Sequence, residues 1–159
     1  MFHWISDQKS VFLKLFNSLK DGGVFMFVGP AANKFNISVI SEKLARSDKW
    51  KDDFLGFNSG RSYHTPEEYH NILSEVGFLV QDIKETVTKN IYDNVDELKN
   101  WIRPLSVYAS SLSCREKTDE FIDDIVTEMF NQKLEMENDK IIMNSVKVEV
   151  LCHKISQIN

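Results

Sequence analysis

Apolar residues at Phe12, Leu15, Phe16 and Leu19 recur at the i, i+3, i+4, i+7 spacing of one helix face. That spacing predicts a helix running to about Lys20, with Ser6 or Asp7 as its cap. Asp21-Gly22-Gly23 is expected to end it, since glycine tolerates a left-handed cap. The run Val24-Phe25-Met26-Phe27-Val28 is continuously apolar and closed by Gly29-Pro30, which predicts a strand buried on both faces, as in parallel sheets. Ile37, Ile40 and Leu44 give helical spacing over 36–47, and Gly56, Asn58, Ser59 and Gly60 mark a loop. Thr65-Pro66-Glu67-Glu68 reads as a capping box with proline at the first helical position. Tyr69, Ile72, Leu73 and Val76 then form one face, and Gly77 stops the helix. Residues 78–92 read as a strand whose apolar members Leu79, Ile83, Val87 and Ile91 share one parity. Asn94 caps a helix with Leu98, Trp101 and Ile102 as its stripe and Pro104 as its end, and a weaker helix is expected over 105–112. The longest helix is expected over 117–134, followed by a polar turn over 135–140 and a last strand with Val146, Val148, Val150 and Cys152 on one face. The sum is an α/β pattern with three strands.

Composition narrows the function classes. The chain has 159 residues, enough for one domain with a real core, and 42% hydrophobic with 27% charged residues is an ordinary globular balance. The net charge of −5 argues against a nucleic-acid footprint or a basic membrane-surface patch. No apolar run approaches the ~20 residues of a membrane span. Met1-Phe2-His3-Trp4 is not a secretory n-region, so a cytoplasmic protein is expected. Cys114 and Cys152 are too few and too far apart for a zinc site or disulfide framework, and the four histidines show no metal spacing. Gly-x-Ser-x-Gly, P-loop and His-Glu-x-x-His sequences are absent, leaving hydrolase, nucleotidase and metalloprotease readings without a motif.

The string Phe2-His3-Trp4-Ile5-Ser6-Asp7, then a helix, then Leu19-Lys20-Asp21-Gly22-Gly23-Val24-Phe25-Met26-Phe27, resembles the region after the fourth strand of class I S-adenosylmethionine-dependent methyltransferases. Asp21 stands where those proteins usually carry proline. Thr65–Phe78 resembles the helix before their sixth strand, and Trp101-Ile102-Arg103-Pro104-Leu105 a helical cap inserted before the seventh. The combination is similar to small-molecule carboxyl methyltransferases of the trans-aconitate and juvenile hormone acid type, and covers residues 2 to about 154. The resemblance implies a Rossmann-like sheet of order 3-2-1-4-5-7-6 with the seventh strand antiparallel. This chain would hold its C-terminal half, strands 5, 7 and 6, as one truncated domain over 1–159 with a helical cap insertion at 94–134. The family's Gly-x-Gly-x-Gly turn and the acidic residue that takes the ribose hydroxyls are missing. On this reading about 100 N-terminal residues are lacking.

The activity so implied is methyl transfer from S-adenosylmethionine to a small-molecule acceptor, expected to be a carboxylate. Such a reaction rests on positioning and water exclusion rather than a triad, so an aromatic wall and an anion clamp are the features to seek. By resemblance, Trp4 lies beside the methyl group and substrate with His3 adjacent, and Phe2 and His3 face the cofactor. Alternatively, Trp4 packs as a hydrophobic staple at the helix start. Trp101 and Arg103 would lie in the cap over the substrate, the arginine gripping a carboxylate through two hydrogen bonds; otherwise Trp101 is core and Arg103 solvated. Arg61, Tyr63 and His64 precede a helix N-terminus, a place for anions, or form an ordinary surface loop. Trp50, Phe54 and Phe57 line a pocket or belong to the core. An inert remnant acting as a binding or oligomerisation module is the alternative to an enzyme, and binding of an unrelated apolar ligand a third. Left without its neighbour, the apolar strand Val24–Val28 is expected to self-associate.

Overall fold

The computed structural model describes residues 2–31 and 36–155. A 3-10 turn, Phe2–Trp4, precedes helix α1, Gln8–Ser18. Asp7 caps α1 by accepting from the Ser10 N–H at 3.0 Å, and hydrogen bonding from the Ser10 side chain, then from its N–H, holds the Asp7 carboxyl below the usual carboxylate range. The helix stops two residues before the expected end and without a left-handed cap. Leu19 is already extended, and its N–H donates back to Leu15 and Phe16. The left-handed conformation falls instead on Gly22, at φ 73°, in the turn that leads into strand β1, Val24–Pro30.

Helix α2, Ile37–Ala45, is capped by Asn36. Helix α3, Pro66–Val76, carries the expected capping box: Thr65 Oγ1 accepts from Glu68 N–H, and Glu68 Oε2 accepts from Thr65 N–H. Gly77 ends it at φ 112°, a conformation in which a side chain would also meet the Phe16 ring at 3.1 Å. Strand β2 runs the full Phe78–Tyr92. Helices α4, Val95–Ile102, α5, Val107–Ser111, and α6, Arg115–Asn131, follow.

The predicted polar turn over 135–140 is a hairpin. Strand β3, Glu135–Glu137, pairs antiparallel with the start of β4, Lys140–Lys154, giving a fourth strand. Asn138 and Asp139, both at positive φ, form the two-residue loop, as the twist of a tight hairpin requires.

The sheet has the order β1-β4-β2, with β3 on β4, and β4 lies antiparallel to β1 in a register that sets Met26 opposite Leu151 and Phe27 opposite Val150. The last strand therefore lies between the first and the second long strands. The architecture is mixed α/β, as expected. The expectation that β1 is buried on both faces is overturned: Phe27 is buried, whereas Val24, Met26 and Val28 are 53%, 69% and 50% exposed, because no element among the described residues covers their side of the strand. On β2 the shared apolar parity is likewise mostly the outer one. Leu79, Val87 and Ile91 are exposed, Ile83 is partly buried, and the strand's ends Phe78 and Tyr92 point inward.

The chain divides into two compact units, one of Met1–Ala32, Gly60–Val87 and Val146–Asn159, the other of Asn33–Ser59 and Thr88–Ser145. In the first, Phe12, Phe27, Tyr69, Leu73, Val148, Val150 and Cys152 form the core, with α1 and α3 packed together. In the second, Ile40, Trp50, Phe54, Phe121, Ile122, Ile125 and Met129 do so, with α6 packed against α2, α4 and α5. Each core follows from the apolar faces of its helices.

Candidate functional site

In the first unit, two loops far apart in sequence are bonded side by side. The Ser62 N–H donates to the His3 carbonyl at 2.9 Å, tying the segment before α3 to the N-terminal 3-10 turn. Gln8, at the first position of α1 and only 2% exposed, donates its Nε2 to the Ser62 carbonyl at 3.0 Å. The backbone of residues 60–64 is thereby held between the turn and α1.

Those bonds fix the side chains that follow. The Arg61 guanidinium lies over the Trp4 ring, 4.0 Å from its centroid, a cation–π arrangement. Tyr63 stacks on His3 at 5.7 Å and 19°. His64 is placed by three contacts: Ser62 Oγ at 3.3 Å from Nε2, the Glu68 carboxylate at 3.6 Å from Nδ1, and the Tyr69 ring at 5.1 Å. Burial, reinforced by nearby positive charge including Arg61, lowers the His3 pKa to about 4. His3 is thus a neutral imidazole at pH 7. Burial first of all raises the pKa of the Tyr69 phenol beneath the cluster. The result is an aromatic surface carrying a fixed guanidinium and a neutral ring nitrogen, a combination suited to a planar, anionic small molecule.

His3, Trp4, Arg61, Tyr63 and His64 are therefore brought together. Trp4 does not serve as a staple, being 56% exposed. Phe2 is the residue that packs inward, with its ring 5.1–5.8 Å from Phe12, Phe25 and Phe27. Trp101 and Arg103 lie in the second unit. Trp101 is partly buried in its core, 5.7 Å from the Tyr92 ring, and Arg103 Nη2 forms an ion pair with Asp119 at 2.6 Å. Of the three aromatic residues with two readings, Trp50 is core and donates its Nε1–H to Asp124 at 2.7 Å. Phe54 and Phe57 line a cavity of about 180 Å³ in that unit, together with Tyr108, Glu42 and Arg46. Sequence reasoning missed Gln8, Ser62 and Glu68 as parts of the site. Only the capping box pointed to Glu68, and nothing in the pattern marks Gln8, a polar residue at a helix start, as buried.

Among the described residues no cluster of His, Cys, Asp and Glu could hold a metal ion, and no helix is long and apolar enough to cross a membrane. The cysteines are free, Cys114 exposed and Cys152 buried.

No protein-family model matches the sequence. The chain is 26% identical over 157 residues to juvenile hormone acid O-methyltransferase of Drosophila melanogaster, covering 93% of this chain and 52% of that protein. It is 27% identical over 139 residues to the Bombyx mori protein of the same name, covering 80% of this chain and 47% of the other. It thus spans about half the length of the curated relatives it matches. Among solved structures it is similar to a Bacillus halodurans C-125 protein assigned as a methyltransferase, with a TM-score of 0.58, 17% identity, and coverage of 98% of this chain and 66% of the other. In sequence and in fold, the resemblance is to class I methyltransferases.

Proposed function

We propose that this chain is the acceptor-side portion of an S-adenosylmethionine-dependent methyltransferase acting on a small-molecule carboxylate. The observation that supports it is the union of the His3–Trp4 turn with the Arg61–His64 loop by the Ser62–His3 and Gln8–Ser62 hydrogen bonds. The names of the insect relatives, acid O-methyltransferases, point to the same class of acceptor.

In this reading Arg61 holds the acceptor carboxylate, while Trp4 and Tyr63 form a wall that keeps water from it. A carboxylate is ionised at pH 7 and needs no base, so neutral His3 serves as a hydrogen-bond partner rather than a proton acceptor. His64, aligned by Glu68, lies at the rim. The bound donor would supply an electrophilic methyl group on sulfur. The cradle for that donor is not among these residues. The sequence holds no Gly-x-Gly-x-Gly turn, Gly22 precedes a strand and Gly77 ends a helix. Phe2, expected at the cofactor, is partly buried, with its ring packed against Phe12 and Phe27 of the core.

Residues 94–134 are proposed as a cap insertion. There Trp101 would offer an apolar surface to a ligand, and Arg103 a guanidinium that could exchange Asp119 for a carboxylate. Two free cysteines suit a cytoplasmic setting, which is proposed with it. The strand Val24–Val28 is taken as a self-association surface.

Calorimetric titration with S-adenosylhomocysteine, then with small carboxylic acids, tests the reading. Micromolar binding by the chain, or binding that appears when a glycine-turn half is supplied, supports it. Absence of binding in both cases would leave the inert binding module as the correct account.

A further inference from the structure

We infer that the cavity of the second unit is a binding site for a small quaternary ammonium ion, held between the rings of Phe54, Phe57 and Tyr108 and the Glu42 carboxylate. It shares no residue with the cluster on which the methyl-transfer reading rests. Its lining comes from one unit: Glu42, Ala45 and Arg46 from the end of α2, Phe54 and Phe57 from the turns that follow, and Tyr108 from α5. Its volume of about 180 Å³ lies below the roughly 300–1,000 Å³ of pockets that hold drug-sized ligands, so a head group of a few heavy atoms is what fits.

The walls are aromatic. Phe54, Phe57 and Tyr108 have ring centroids 5.0–6.0 Å apart and planes inclined at 55–72° to one another. Three rings so inclined make a corner rather than a stack, and the face of a ring is the negative part of its quadrupole. The mouth is negative as well. Helix α2 ends here, with Ala45 last and Arg46 as its C-cap, and a helix C-terminus carries partial negative charge. Glu42 adds a carboxylate in the same last turn, against the preference of the dipole. Lys43, also in that turn, is paired with Glu128 at 2.5 Å. The cation that answers Glu42 is Arg46, in an i,i+4 ion pair whose arginine side chain is 78% exposed. Exposed pairs of this kind are weak, so a ligand cation can take the place of Arg46 while the guanidinium turns into solvent.

The kind of cation follows from the same walls. A primary ammonium brings three N–H donors and a strong hydration shell, and aromatic rings answer neither. A trimethylammonium group carries the same charge without donors, and its methyl groups pack against rings, the pairing by which aromatic sites recognise choline. An anion would be opposed by Glu42, by the helix end and by the ring faces, and favoured by Arg46 alone. Removing Arg46 therefore acts in opposite directions on the two ligand charges.

Calorimetric and amide-NMR titration of the full chain with choline chloride, against equal concentrations of sodium chloride, is the test. Choline should bind, with amide shifts centred on residues 42–58 and Tyr108 and none at Arg61 or His64. The neutral analogue with carbon in place of the nitrogen should bind roughly 10-fold more weakly. Glu42→Gln and Phe57→Leu should each weaken choline binding by a similar factor with little change in the thermal melt, since the Glu42 side chain is 49% and Phe57 37% exposed. Arg46→Ala should strengthen it about 3-fold by removing the competing cation. Absence of choline binding, equal binding of the neutral analogue, shifts centred elsewhere, or weaker binding by Arg46→Ala overturns the inference. So does binding of a trimethyllysine peptide without binding of choline, which would assign the cation to another protein's side chain. None of these readouts depends on whether S-adenosylhomocysteine binds.

Discussion

Arg61 is held over Trp4 because its backbone neighbour Ser62 is bonded on both sides, to His3 through its N–H and to Gln8 through its carbonyl. In the proposed reading Arg61 makes a charged hydrogen bond to the acceptor carboxylate, and such a bond contributes roughly 1.5–3 kcal/mol. Arg61→Ala is therefore expected to weaken acceptor binding roughly 10- to 100-fold. Titration of the acid acceptor against the variant checks this, with S-adenosylhomocysteine affinity unchanged. His3 carries a pH dependence. Its pKa is 6.5 when exposed and about 4 in the folded chain. Between those values the unfolded chain binds more protons, so stability rises with pH through that window and falls as the solution is acidified from 6.5 toward 4. Because His3 is only partly buried, solvent screens the effect, and a shift of a few degrees in Tm is the expected scale. His3→Gln should flatten the Tm–pH curve between those limits relative to wild type. An unaltered slope would show that His3 is not held neutral by folding.

At the scale of elements, α3 was the most fully legible part of the chain. Thr65, Pro66, Glu68 and Gly77 act through contacts within one turn of sequence, so no distant residue was needed to read them. Thr65→Ala should cost about 1 kcal/mol, measured by denaturant unfolding. The β3–β4 hairpin was not legible, since Glu135-Met136-Glu137 has neither an apolar alternation nor a glycine turn. Its loop holds Asn138 and Asp139 at φ 51° and 62°. Asp139→Gly should therefore stabilise the chain by roughly 0.5–1 kcal/mol, because glycine meets that backbone without steric cost. A loss of stability in the same unfolding experiment would mean that Asp139 contributes more than its backbone conformation. The burial of β1 was misread for a different reason. A continuous apolar run records what a strand is suited to face, whereas exposure depends on which elements are present to cover it.

At the scale of the whole molecule, the two units have separate cores. Phe12 and Phe121 are both fully buried, one in each. Phe12→Ala and Phe121→Ala should each cost about 3–5 kcal/mol. Amide exchange should rise chiefly in α1 and α3 for the first and in α2 and α6 for the second, and a rise in the same amides for both would contradict separate cores. The sequence by itself determined most helix faces and caps, the length of β2, and the methyltransferase resemblance, because each is written in local spacing or an ordered motif. It also held the candidates Arg61, Tyr63 and His64 apart from His3 and Trp4, as unrelated loops. Only the tertiary structure decided that these form one cluster, that Phe2 rather than Trp4 enters the core, and that Arg103 is engaged by Asp119. Such pairings join residues of different elements through single hydrogen bonds, ion pairs or ring contacts. Hydrophobic periodicity carries no information about which surface positions will meet once the cores have closed.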